Sequence, residues 1–87
     1  MEFEFDPLKS EQNKLKHGID FFESQLLWSD PFAISIPAKT SDEVRFLLIG
    51  RLDSKMWSAV YTIRDEKIRI ISVRRTRKNE EEIYNSF

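Results

Sequence analysis

Three stretches of alternating apolar and polar residues follow one another between Val44 and Arg74, and no other feature restricts the fold as much. A period of two marks strands that send successive side chains to opposite faces. The predicted strands are Val44–Arg51, Met56–Arg64 and Lys67–Arg74, joined by a turn at Leu52–Lys55 and by Asp65-Glu66. Connections this short fold the chain back beside itself, because a parallel neighbour needs a crossover of about a dozen residues. An antiparallel meander follows. A further strand, Phe32–Ile36, precedes it, and Pro37 confines that strand's end to an edge or a loop.

The N-terminal part has a different pattern. Phe3-Glu4-Phe5 reads as a short half-exposed strand, and Asp6-Pro7 then starts a helix. Aspartate accepts from the free amides there, and proline fits the first helical position. Lys14, Lys16 and His17 crowd the last turn, where cations suit the helix dipole, and Gly18 supplies a left-handed cap. Asp20-Phe21-Phe22-Glu23 has the form of a capping box. A second helix follows through about Leu27 or Trp28, burying Phe22 with Leu26 or Phe21 with Trp28, and Ser29-Asp30-Pro31 ends it. The expected fold is α+β: two N-terminal helices on a four-stranded antiparallel sheet, five-stranded if the short N-terminal strand joins. The tail Thr76–Phe87 forms a short C-terminal helix or stays mobile.

On the third strand Trp57, Ala59, Tyr61 and Ile63 point one way, and Met56, Ser58, Val60, Thr62 and Arg64 the other. On the fourth, strict alternation groups Ile68, Ile70, Ser72 and Arg74 against Lys67, Arg69, Ile71, Val73 and Arg75. Both faces carry apolar side chains, so helices are expected over one face and partial cover over the other.

The 87 residues suit one domain, and an apolar fraction of 40% with 13% aromatics can fill one core. With no cysteine and one histidine, disulfides, thiol chemistry and Cys- or His-rich metal centres are excluded. No apolar run reaches the roughly 18 residues of a membrane span, and the acidic, polar start is unlike a signal peptide. A soluble, cytoplasmic protein is expected. Its net charge of −1 conceals a division, since residues 1–43 hold four Lys/Arg against nine Asp/Glu and residues 44–87 hold ten against six.

The densest basic cluster is Ser72-Val73-Arg74-Arg75-Thr76-Arg77-Lys78. Guanidinium groups bind phosphate through paired donors and remain charged. Arg51 and Arg64 close neighbouring strands and could meet Arg74 or Arg75 at a shared rim. The competing reading is a solvated basic edge, or ion pairs with Glu80–Glu82. Tyr61 and Tyr84 could offer a hydroxyl or a ring on which a base stacks, or could simply pack. His17 could move protons or only cap its helix. With only Gly18 and Gly50, no phosphate-cradling glycine loop exists.

Specific phrases then accumulate. Phe5-Asp6-Pro7, Asn13-Lys14-Leu15-Lys16-His17-Gly18-Ile19-Asp20-Phe21, Asp30-Pro31, Gly50-Arg51, Val60-Tyr61-Thr62, Arg69-Ile70-Ile71-Ser72-Val73-Arg74-Arg75 and the closing Arg77, Glu80, Glu81 and Tyr84 stand in a characteristic order. In that order the chain resembles the BrnT family of bacterial type II toxins. The resemblance implies a RelE-like ribonuclease that cleaves RNA and halts translation, with no metal or other cofactor. It also implies a BrnA-type antitoxin that neutralises the toxin by binding, joins two toxins through its own dimerisation and carries the complex to operator DNA. No membrane is implied.

By the same resemblance the RNA's own 2′-hydroxyl attacks, leaving a cyclic phosphate. Arg51, Arg64, Arg74 and Arg75 are then expected to stabilise charge on the phosphate, each contributing about 2–4 kcal/mol. His17, Lys14 or Tyr61 would transfer protons, with pKa values depressed by the neighbouring arginines. Arg69, Arg77, Lys78 and Tyr84 would contact RNA. A different class of reading also fits the residues: a non-catalytic module that binds RNA or a protein, or a degenerate toxin that binds only its antitoxin.

Overall fold

The short connections turn the chain as their length requires. In the computed structural model, which describes residues 2–39 and 42–86, Arg64 pairs with Lys67 across Asp65 and Glu66, both at positive φ. That is the two-residue turn whose twist matches paired strands. Leu52 pairs with Lys55 across a turn with Asp53 at φ 57°. The strands so joined are β3 (Arg45–Leu52), β4 (Lys55–Arg64) and β5 (Lys67–Arg75), with β2 (Ile34–Ala38) outside β3. Pro37 lies within β2 opposite Phe46 rather than beyond its end. An edge strand tolerates it, because one side of its backbone needs no partner.

The short N-terminal strand exists as β1 (Phe3–Glu4) and completes a five-stranded sheet in the order β1-β5-β4-β3-β2. It runs parallel to β5, with Phe3 opposite Ile68 and Glu4 opposite Arg69, so the sheet is mixed and not wholly antiparallel. No short turn links β1 to its neighbour in space, and the hairpin argument therefore has no hold on its direction.

From β1 the chain enters α1 (Pro7–His17). Asp6 Oδ1 accepts from the Leu8 amide at 2.9 Å, and Gly18 at φ 83° ends the helix as expected. Asn13 fastens α1 to the sheet. Its amide nitrogen donates to the carbonyls of Ile19 (2.8 Å) and Val73 (2.9 Å), and its oxygen accepts from the Val73 amide (3.2 Å).

The second helix is a 3₁₀ helix, Glu23–Ser29, rather than an α-helix. The expected reciprocal pair does precede it, with the Glu23 amide donating to Asp20 Oδ1 at 2.7 Å and the Asp20 amide to Glu23 Oε1 at 3.0 Å. Phe21, Ser24 and Leu27 are the residues buried, every third position, which suits three residues per turn. Phe22 and Leu26 remain 72% and 58% exposed, so of the two expected pairings Phe21 is the one that enters the core. Half-buried Trp28 meets Phe3 and Tyr61 edge-on at 5.2 and 5.3 Å.

These helices cover one sheet face, over Leu48, Ala59, Ile70 and Val73. The other face holds Leu47, Ile49 and Met56 and is partly covered by Ile83 and Tyr84 of α2 (Lys78–Asn85). A bulge changes which side chains of β5 reach which face. The register passes from Val60–Ser72 to Tyr61–Ile70, leaving Ile71 over. One extra residue reverses the alternation beyond it. Ile68 and Ile70 therefore share a face with Val73 and Arg75, whereas strict alternation had grouped them with Ser72 and Arg74. No described helix is long and apolar enough to cross a membrane.

Candidate nucleic-acid interface

The sheet has two ends rich in cations, and they differ in how those cations are engaged. Where β3 starts, β4 ends and β5 starts, Arg45 and Arg64 both meet Glu43 (3.1 and 3.6 Å), Lys67 meets Glu2 (3.8 Å) and Arg69 meets Glu4 (3.5 Å). At the opposite end, where β3 and β5 finish, stand Arg51, Lys55, Arg75 and then Arg77 and Lys78. Among the described residues none of these five forms an ion pair. Arg64 closes β4 roughly 26 Å from Met56 along an extended strand, so the shared rim expected to include it does not form. Arg69 also lies at the paired end.

Arg75 is held without being neutralised. Its Nε donates to the Met56 carbonyl at 3.2 Å and its guanidinium lies 5.4 Å from the centre of the Trp57 ring. The contact leaves donors free for another acceptor. His17 ends α1 toward that side, since the next two residues, Gly18 and Ile19, line a hollow with Lys55 and Trp57, which Glu23 and Asp53 also line.

Arg74, one residue earlier, points to the other face and does not join them. Its Nη1 and Nη2 donate to the two oxygens of Glu80 at 2.9 and 2.8 Å. Glu80 also accepts from Ser58 Oγ (2.9 Å) and from the Arg77 amide (3.0 Å). The Arg74 guanidinium, and then these donors, hold the Glu80 carboxyl at about 2. This is the ion pair with Glu80–Glu82 weighed against phosphate binding, and it fixes α2 to the sheet.

Arg51 stands 5.9 Å over the ring of Tyr84, whose hydroxyl donates to Asp30 Oδ2 at 2.8 Å. The same oxygen accepts from the Arg51 amide at 2.8 Å, and Oδ1 accepts from the Phe32 amide at 2.9 Å. Burial works against ionisation of Asp30, but the donors outweigh it and the carboxyl lies below its ordinary value. Burial, then Asp30, pushes the Tyr84 phenol up. Sequence reasoning read Asp30 as part of a helix stop and of a family phrase but gave it no role in the site, and it also passed over Lys55.

Two expected proton carriers are already engaged. Lys14 Nζ donates to Glu23 Oε1 at 2.7 Å, which holds the ammonium above its ordinary range and reverses the expected depression. Tyr61 is core, stacked on Phe46 at 5.4 Å with its hydroxyl hydrogen-bonded to Ser35. Of the three, His17 alone has no hydrogen bond or ion pair among the described residues.

Residues 5–80 match a family model described as the ribonuclease toxin, BrnT, of type II toxin–antitoxin systems. No curated protein matches the chain.

Proposed function

The chain belongs to the BrnT family of ribonuclease toxins of type II toxin–antitoxin systems, and from that premise we propose that it cuts RNA at the unpaired basic end of its sheet without a metal ion. The observation carrying this reading is the contrast between the ends. Four cations at one end each have a carboxylate within 4 Å, whereas Arg51, Lys55, Arg75, Arg77 and Lys78 have none among the described residues. An unneutralised cation held by carbonyl and ring contacts is arranged for an external anion.

In the proposed reaction the 2′-oxygen forms a bond to the adjacent phosphorus and the bond to the 5′-oxygen breaks. The products are a 2′,3′-cyclic phosphate and a 5′-hydroxyl. Arg75 meets the charge that gathers on the non-bridging oxygens. His17 takes the 2′-proton, a task suited to imidazole near neutral pH, and a solvent water gives the leaving 5′-oxygen its proton. Arg51, Arg77 and Lys78 hold neighbouring phosphates. The nucleophile is supplied by the substrate, so no metal-bound water is needed. The cognate partner of such a toxin is an antitoxin, and we assign it the BrnA type, acting through its own dimer and contacting operator DNA.

The test is cleavage by purified, antitoxin-free protein in EDTA, offered both naked RNA and translating ribosomes. Cyclic-phosphate ends are expected, with Arg75→Ala slower by about 10²-fold or more and His17→Ala likewise impaired. Intact RNA in both settings, from folded protein that binds its antitoxin, overturns the reading. It would favour a non-catalytic module, which has one observation in its support: Arg74 is committed to Glu80.

A further inference from the structure

A groove of about 300 Å³ lies between α1 and β5, and of the polar side chains that line it Asn13 is committed to Ile19 and Val73 while five others have no partner among the described residues. Lys9, Gln12 and Lys16 recur at helical spacing on one face of α1, with His17 beside them and Ser72 across from them. Among the described residues none of these five side chains makes a hydrogen bond or ion pair. No carboxylate lines the groove. Each of the hollows at Pro37–Arg45, Gly18–Trp57, Ser10–Asp20 and Phe22–Asp53 includes at least one.

The fold explains why the groove is open. β1 pairs only with Ile68 and Arg69, so the edge of β5 away from β4 has no strand beside it from Ile70 onward. The bulge at Ile71 bends β5 there, and Asn13 fastens α1 alongside by clasping Val73. The lysines are thereby held over a strand edge. The groove also adjoins the basic end, because His17 lines it while Gly18 and Ile19 line the hollow with Lys55 and Trp57.

We infer that this groove is a second subsite, which binds the phosphodiester flanking the one at Arg75 on the same RNA strand. The inference rests on the ribonuclease reading above. Lys9 and Lys16 supply the charge for phosphate, and Gln12 and Ser72 supply uncommitted donors and acceptors for a ribose hydroxyl or a base edge. The substrate lies across His17, with its cleaved phosphate toward Arg75 and its neighbour in the groove.

The test uses the full chain and a short mixed-sequence 2′-O-methyl oligoribonucleotide, which has no 2′-hydroxyl free to attack, with binding followed by fluorescence anisotropy over a salt series. Lys9→Gln combined with Lys16→Gln removes two exposed cations with no hydrogen bond or ion pair among the described residues, at the small cost of one cation in the last turn of α1, and circular dichroism verifies that the fold persists. Kd is expected to rise about tenfold at 0.1 M salt, and the slope of log K against log salt to flatten by about 1.4. Lys67→Gln at the paired end should change neither. If wild-type protein binds and the double variant binds equally well with the same slope, the subsite is refuted and the ribonuclease reading stands. An equal loss in Lys67→Gln refutes the subsite too, since net charge alone would explain it. Wild-type protein that neither binds this probe nor cleaves RNA overturns both.

Discussion

Glu80 is the residue on which the second sheet face depends. It is buried at 6% exposure and accepts four hydrogen bonds, two from Arg74, one from Ser58 and one from the Arg77 amide. Its carboxyl falls from 4.5 to about 2 on folding, a difference worth on the order of 3 kcal/mol. Because the folded value is the depressed one, this stability is fully present above about pH 5 and disappears as pH falls toward 2. Urea unfolding of Glu80→Gln should therefore show lower stability at pH 7 and a flatter fall between pH 5 and 2, whereas parallel pH profiles would show that the pair contributes nothing. The ion pair of Arg74 with Glu80 was legible in the sequence as one of two readings, but the Ser58 contact and the ties of Asp30 were not. Asp30 lies 21 residues from Arg51 and 54 from Tyr84, and Glu80 lies 22 from Ser58. Local pattern cannot see such pairings. Arg75 and His17 were legible as chemistry, but what surrounds each depends on how α1 docks against β5.

Among the elements, α1 and the meander follow from local signals: the Asp6-Pro7 start, the Gly18 cap and two turns too short for anything but hairpins. The departures arise where a neighbour decides. Burial at every third residue selects the 3₁₀ form over Glu23–Ser29, and the Ile71 bulge is invisible to a pattern that assumes strict alternation. Asn13 is the tie between α1 and β5, reading both polar groups of Val73 as a neighbouring strand would. Asn13→Ala leaves those buried groups and the Ile19 carbonyl unpaired, at a cost of about 2–4 kcal/mol. Hydrogen exchange at the Val73 amide should accelerate more than at β4 amides. Uniform acceleration would mean that the contact stabilises the whole fold and has no local role.

For the molecule as a whole, a net charge of −1 hides a field with direction. The cations at one end are answered by Glu2, Glu4 and Glu43, whereas Arg51, Lys55, Arg75, Arg77 and Lys78 form no ion pair among the described residues. On the proposed reading the attraction for RNA is local and sensitive to salt despite a pI of about 5.8. If Arg51, Lys55, Arg75 and Arg77 each meet a phosphate, kcat/KM for naked RNA should fall with salt at a log–log slope of about −3. A flat dependence would place the substrate elsewhere. The sheet margins carry a separate consequence. One margin offers a strand of two residues beside a stretch whose Val73 groups are already taken by Asn13, and the other is interrupted by Pro37. Neither is a template on which an unfamiliar chain can extend the sheet, which protects concentrated, partner-free protein from growing into fibrils.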